Sequence, residues 1–313
     1  RGANFKNILN FEKDYPKAKV VKLEQNYRST KTILAAADKI IKQNINRTDK
    51  TLWTNKEQGA PISIYEASDQ NDEVEFVIRE ISTMKNFYEG KLNNFVILYR
   101  TNAQSRIIEE LLLQNEIPYR LIGAVRFYER KEIKDIICYL RLLVNPGDEV
   151  SLERIINVPP RGIGKATLSL MQNVEFRMQN VKLQKFFDMM SQLREKTQTN
   201  NPADLIDIIC EITGYKKFLL DGTEEGEMRW ENVEELKSVA QKYQKLEEFL
   251  EEVTLISDID NYDKDADAIT LMTLHNAKGL EFPVVFIVGA EEGLFPHSRS
   301  TMEPAEMEEE RRL

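Results

Sequence analysis

The sequence predicts an α/β fold, a parallel sheet flanked by helices and interrupted by an all-helical block. Three observations carry that prediction. Short apolar runs at Phe95–Tyr99, Ile269–Met272 and Val284–Val288 suit strands buried on both faces. In the first 121 residues such runs alternate with helical patterns, as in sheets joined by crossover helices. From about Arg126 to Asp258 the strand signal almost vanishes and helical spacing takes over.

Taken in order, Lys19–Leu23 reads as a short strand. Asn26-Tyr27-Arg28-Ser29-Thr30 then turns into a helix that Ser29 or Thr30 can cap, with Ile33, Leu34, Ala37, Ile40 and Ile41 at helical spacing. Ile62–Glu66 reads as a strand, and Asp72–Lys85 as a helix with Val74, Val77, Ile78 and Ile81 inward. Arg100-Thr101-Asn102 sits at the carboxyl end of Phe95–Tyr99, before a helix running to about Asn115. After the strand Tyr119–Ile122 come helices: one with Ile133, Ile136, Ile137, Leu140 and Leu143 apolar, then Leu152–Ile156, Lys165–Met178, Leu183–Lys196, Pro202–Thr213 and Trp230–Val253. The acidic stretch Ser257–Asp267 carries the chain back to the last strands. The expected division is residues 1–121 and 266–313 in the sheet domain, the second part incomplete, with 122–265 inserted as a helical domain.

Composition narrows the class. With 313 residues, 42% hydrophobic and 30% charged, the chain can bury about two cores. No apolar run approaches the ~18 residues of a membrane span, and no secretory leader pattern opens the sequence. Cys138 and Cys210 form no C-x-x-C pair, which fits buried thiols in a reducing cytoplasm. Two histidines cannot build a His-based metal cluster, so no protein metal site is expected. The net charge of −9 argues against nucleic acid, but its distribution is uneven. Tyr119–Lys165 holds 9 Lys/Arg against 6 Asp/Glu, whereas Asp221–Asp267 holds 5 against 16. One segment can approach phosphate and the other repels it; a solvated helical surface gives the same counts.

The loop after Ile269–Met272 concentrates chemistry. Thr273, His275, Asn276, Lys278, Gly279 and Glu281 offer a hydroxyl, an imidazole, an ammonium, a flexible backbone and a carboxylate, a set able to hold a phosphate and a sugar hydroxyl. In open α/β sheets ligands bind where such loops leave the strands. T-L-H-N-A-K-G-L-E-F followed by P-V-V-F resembles motif V of the superfamily 1 DNA helicases of the UvrD/Rep/PcrA type. L-E-Q-N-Y-R-S-T is similar to motif IV of that family, Y-R-T-N-A-Q-S-R to its single-strand track, and G-x-E-E-G-x-F-P-H to the segment after motif V. Arg1-Gly2-Ala3 resembles the end of motif III and E-E-E-R-R-L the opening of motif VI, so the chain reads as the middle of a longer protein. The resemblance runs from residue 1 to 313, with little to align between about 173 and 205.

The resemblance implies a second RecA-like domain with its inserted accessory domain, working in an ATP-dependent 3′→5′ helicase. It assigns Tyr27 to stacking on a base and Arg28 to a terminal phosphate as the catalytic arginine. Glu281 would accept a ribose hydroxyl, with Lys278 and Gly279 beside the nucleotide. Arg100, Asn102, Thr273 and His275 would face single-stranded DNA. The motif V loop would bridge the two sets across a few ångströms. In the helical block, Arg161-Gly162-Ile163-Gly164-Lys165 fails the phosphate-loop pattern, with Pro159 and Ala166 at two required positions. With Thr167 it resembles the family's duplex-binding turn, where backbone N–H groups meet a duplex phosphate; a plain glycine turn fits the same residues. The implied cofactors are ATP and Mg²⁺, with the Mg²⁺ ligands in a first RecA-like domain that is itself an expected partner, alongside single-stranded DNA and its junction with duplex. Without Walker A or an acidic D-E-x-x box, the chain alone is expected neither to hydrolyse ATP nor to unwind DNA. A non-catalytic DNA- or protein-binding module derived from a helicase is the alternative.

Overall fold

The computed structural model describes residues 11, 14–45, 47, 50–88, 90–170, 179–258, 267–298, 300–301 and 303–313, without the side chains of 88, 165, 166, 257 and 258. Arg1-Gly2-Ala3, the latter half of the expected helix Lys165–Met178 and most of the acidic stretch Ser257–Asp267 lie outside the described residues.

Helix α1 spans Lys31–Ile41, and α2 spans Gln70–Met84. Strand β1 (Phe95–Tyr99) is followed by α3 (Ser105–Gln114) and β2 (Tyr119–Leu121). The helical block holds α4 (Lys131–Val144), α5 (Glu149–Ile155), α6 (Lys165–Ser169), α7 (Val181–Lys196), α8 (Pro202–Ile212), α9 (Tyr215–Leu219), α10 (Glu224–Ala240) and α11 (Leu246–Asp258). Strands β3 (Ile269–Thr273) and β4 (Val284–Ile287) precede α12 (Pro304–Arg312).

The four strands lie in the order β2-β3-β1-β4, and every pairing is parallel. Because side chains alternate along a strand, β1 feeds both faces. Phe95, Ile97 and Tyr99 join a core built with α2 and α3, while Val96 and Leu98 pack with Met272 on the other face. Strands β2 and β3 are adjacent in the sheet but about 150 residues apart in the chain, with Tyr119 opposite Ile269. Everything between them is helical among the described residues and collapses onto a core of its own, from Phe127 to Val253.

Four expectations are corrected. Lys19–Leu23 and Ile62–Glu66 join no sheet; the nearest pairing is a single bridge between Gln25 and Trp53. Their β-branched residues are exposed, Val21 at 68% and Ile64 at 93%. Composition that favours a strand makes one only where a neighbour supplies the ladder. Trp230–Val253 is two helices, because Val239, Ala240, Leu246 and Phe249 all face one core that a straight rod could not reach from both halves. Tyr243 fills the corner, its ring 5.6 Å from Phe249. Thr30 holds the N-cap position of α1 but its side chain makes no cap hydrogen bond.

The helical block meets the sheet domain through buried polar side chains. Arg130 donates to Ser105 Oγ at 2.7 Å and Asn232 Oδ1 at 2.8 Å, and Ser105 donates to Glu109 at 2.6 Å. Arg106 bridges Glu110 (2.5 Å) on its own helix and Glu235 (2.6 Å) on α10. Both arginines are less than a tenth exposed, so their charges are tolerated because their guanidinium N–H groups find acceptors.

Candidate functional site

The segment linking β3 to β4 sets the geometry. The two strands are parallel with β1 between them, so the chain must return from the carboxyl end of the sheet to its amino end. It crosses one face, with Leu274, Ala277 and Phe282 packed on Val96, Leu98 and Met272. Gly279 turns at φ +91°. A Cβ there would meet nothing within 4 Å, so the positive φ is what calls for glycine.

Arg28 reaches this crossing from a distant part of the chain. Its guanidinium donates to the Gly279 carbonyl at 3.3 Å, and its Nε lies 3.7 Å from Glu281 Oε2. The turn that aims it is fastened by residues the motif reading passed over. Asn26 Oδ1 accepts from the backbone N–H groups of Arg28 (3.0 Å) and Ser29 (2.8 Å), and Lys56 donates to the Arg28 carbonyl at 2.7 Å. Tyr27 stands beside it, 74% exposed, its hydroxyl donating to Gln25. Tyr27, Arg28, Gly279 and Glu281 thus gather at one place, with Lys278 exposed next to them.

A second group gathers at the carboxyl ends of β1 and β3. Tyr99 lies opposite Thr273, so Arg100 and His275 leave neighbouring strand ends. Arg100 is clamped by Glu310 of α12, through Nε at 3.0 Å and Nη2 at 2.7 Å. Burial pushes the Glu310 carboxyl up, but the bonds from Arg100 outweigh it and the net direction is down. The Thr273 hydroxyl faces inward and accepts from Asn276 N at 3.3 Å. Asn102 Oδ1 is buried with no hydrogen-bond partner among the described residues. Gln104 shapes this turn, its carbonyl accepting from Arg100 N and Thr101 N in a capping box. The T-x-x-Q spacing of Thr101 and Gln104 is a signal that could have found it.

The two groups lie along the same crossing segment, whose residues 274–279 run in successive turns: Asn276 N and Ala277 N donate to the Thr273 carbonyl, and Leu280 N to that of Ala277.

The glycine turn of the helical block also differs from its reading. Arg161 points inward: Nη1 donates to the carbonyls of Ile155 (3.0 Å), Ile156 (3.2 Å) and Val158 (3.0 Å), and Nη2 donates to Tyr139 Oη at 2.7 Å. Asn157 Oδ1 accepts from Arg161 N and Ile163 N, and Ile163 is buried beneath the turn. No pattern in the sequence marks Asn157. Gly162 is exposed at φ +69°, Gly164 is exposed where α6 begins, and Thr167 is half-buried on it; the Lys165 side chain lies outside the described residues.

Among the described residues no three of His, Cys, Asp and Glu converge as metal ligands. No described helix is long and apolar enough to cross a membrane.

Comparison with known proteins agrees with this architecture. The UvrD-like helicase C-terminal domain matches residues 21–192 and 176–313. The chain is 46% identical over 345 aligned positions to the ATP-dependent DNA helicase PcrA of Bacillus subtilis, which covers 100% of the chain and 47% of that protein. The PcrA helicases of Staphylococcus aureus and Staphylococcus epidermidis are 44% and 43% identical, with the same coverage. The chain therefore spans about half the length of these curated relatives. With its parallel sheet, its helical block and a profile match over nearly all of its length, it belongs to the UvrD-like helicase C-terminal domain family.

Proposed function

We propose that this chain forms one wall of the ATP site, and the DNA-gripping surface, of an ATP-dependent 3′→5′ DNA helicase. The observation that carries the reading is the meeting of Arg28 with Gly279, 251 residues away in the chain, and with Glu281 beside it. Arg28 and Glu281 are both more than half exposed, and an exposed ion pair contributes about 0–1 kcal/mol, so it opens at little cost. A nucleotide fits by taking the pair apart: the terminal phosphate draws Arg28, a ribose hydroxyl donates to Glu281, and the open ring of Tyr27 stacks on the base. Lys278 and Gly279 line the same edge.

On this reading the Mg²⁺ ligands and a Walker A lysine would come from a first RecA-like domain. ATP bound between the domains supplies the phosphoryl group whose transfer to water Arg28 promotes. Along the same segment His275 faces a single strand, with Arg100 and Asn102 at the neighbouring strand end and the inward Thr273 hydroxyl shaping the turn between them. The buried, unpartnered Asn102 Oδ1 supports a group that waits for a donor. Tightening the segment around nucleotide shifts the grip on DNA by differential contacts. In the helical block Gly162, Gly164, Lys165 and Thr167 present backbone to a duplex phosphate.

The test is Arg28→Ala in the full-length protein. DNA-stimulated ATP hydrolysis is expected to fall by about 10³-fold or more, the usual worth of an arginine finger, while the Kd for single-stranded DNA stays within twofold. Unchanged hydrolysis would favour the non-catalytic binding module instead.

A further inference from the structure

The duplex-binding turn raises the question of which cation meets the phosphate. Arg161 is the obvious candidate from sequence, yet its guanidinium is spent on three backbone carbonyls and the Tyr139 hydroxyl, and it lies over the Phe186 ring at 5.4 Å. A group so committed cannot turn outward without unmaking the loop. Among the described side chains, an exposed charge at the turn belongs to another residue. Lys182, in the first turn of α7, lays its ammonium 3.0 Å from the Gly162 carbonyl. That contact uses one of the three donors an ammonium carries. Among the described residues no carboxylate pairs with it. Lys185 follows at i+3, also exposed and so on the same side of the helix, while Leu183 and Phe186 anchor that helix in the core beneath. Gly162 turns at φ +69°, and the nearest atom a Cβ there would meet is the mobile Lys182 ammonium.

We propose that Lys182 is the phosphate-contacting cation of the duplex-binding turn and that Arg161 is a positioning residue that holds the turn in shape. The inference rests on the duplex-binding reading of the turn given above. Phosphate contact and internal strut leave different signatures. Each phosphate a lysine neutralises contributes about −0.9 to the slope of log Kobs against log salt on duplex DNA. A strut changes affinity through geometry and leaves that slope alone.

The experiment titrates the full-length protein, without nucleotide, against an end-labelled blunt 16-base-pair duplex of arbitrary sequence, by fluorescence anisotropy, from about 50 to 200 mM salt. Lys182→Gln is expected to weaken binding roughly five- to tenfold at about 0.1 M salt and to flatten the slope by about 0.9. Arg161→Lys, which keeps the charge but cannot reach all four acceptors, is expected to weaken binding at an unchanged slope and to lower Tm. Lys182 is on the surface and its variant is expected to keep the parent Tm, so its arm stands even where the Arg161 variant unfolds. An unchanged slope in Lys182→Gln overturns the proposal while leaving the duplex reading intact. Absence of any duplex binding by the parent chain overturns both.

Discussion

At the scale of single residues, the arginines show how little a motif says about what a side chain is doing. Arg28, Arg100 and Arg161 stand in three different motifs. Only Arg28 is held by a contact weak enough to exchange for a ligand, its Nε 3.7 Å from Glu281 at the surface. Arg100 is closer to a locked position, since Glu310 holds it through two nitrogens and is itself only 8% exposed. If Arg100 is to meet a DNA phosphate it must leave Glu310, so the two acceptors compete. Removing the competitor gives a prediction with an unusual sign. Glu310→Gln is expected to raise affinity for a single-stranded oligonucleotide and to steepen its salt slope by about 0.7, the contribution of one phosphate on a single strand. Equal or weaker binding, measured by anisotropy at several salt concentrations, would show that Arg100 is a structural partner of α12 alone.

At the scale of elements, the parts that read correctly were those whose information is local. Helix α2 is an example. Val74, Val77, Ile78 and Ile81 are buried as their spacing says, and Asp69 closes the helix start by accepting from Asn71 N at 2.8 Å and Asp72 N at 2.9 Å. Asp69→Ala is expected to cost about 0.5–2 kcal/mol, read as a lower urea midpoint at constant m-value; an unmoved midpoint would mean the cap is replaced by solvent. The site was legible to the same extent. Tyr27, Arg28 and Glu281 announce themselves by residue type, and the β3–β4 segment by its crowding of polar groups. Everything that depended on a distant partner was not legible. The runs at 19–23 and 62–66 have strand composition, but nothing in them says whether a neighbouring strand supplies hydrogen bonds. The corner at Tyr243 follows from a core shared by α10 and α11, with no Gly or Pro to mark it. The inward turn of Arg161 needs Tyr139, and the clamp on Arg100 needs Glu310, 210 residues away.

Across the molecule, the helical block and the sheet are joined by buried hydrogen bonds and ion pairs. The turn that carries Arg100 and Asn102 runs directly into α3, whose Ser105, Arg106 and Glu109 face the helical block. Asn232 and Glu235 on α10 receive Arg130 and Arg106, and the Asn232 amide also donates to Glu132 at 2.6 Å. On the function proposed above, a motion of the block would reach the strand end assigned to DNA through these buried hydrogen-bonded groups. Glu109 is the most exposed to pH of these groups in its consequences. Burial pushes its carboxyl up from 4.5 to about 7, opposed by bonds from Ser105, Phe127 and Tyr119 and by the charge of Arg130. The folded state therefore holds a proton that the unfolded state has already lost between pH 4.5 and about 7. Stability from this group is fully present below 4.5 and is lost as pH rises to about 7, beyond which the penalty is constant. Glu109→Gln removes the titration. The stability difference between parent and variant, from urea unfolding across about pH 4.5 to 8, is expected to shift against the parent as pH rises, by an amount on the order of 3 kcal/mol at ~1.4 kcal/mol per unit, and then to level off. A pH-independent difference would mean that Arg130 holds Glu109 ionised throughout, making the junction a permanent ion pair that neutral pH leaves untouched.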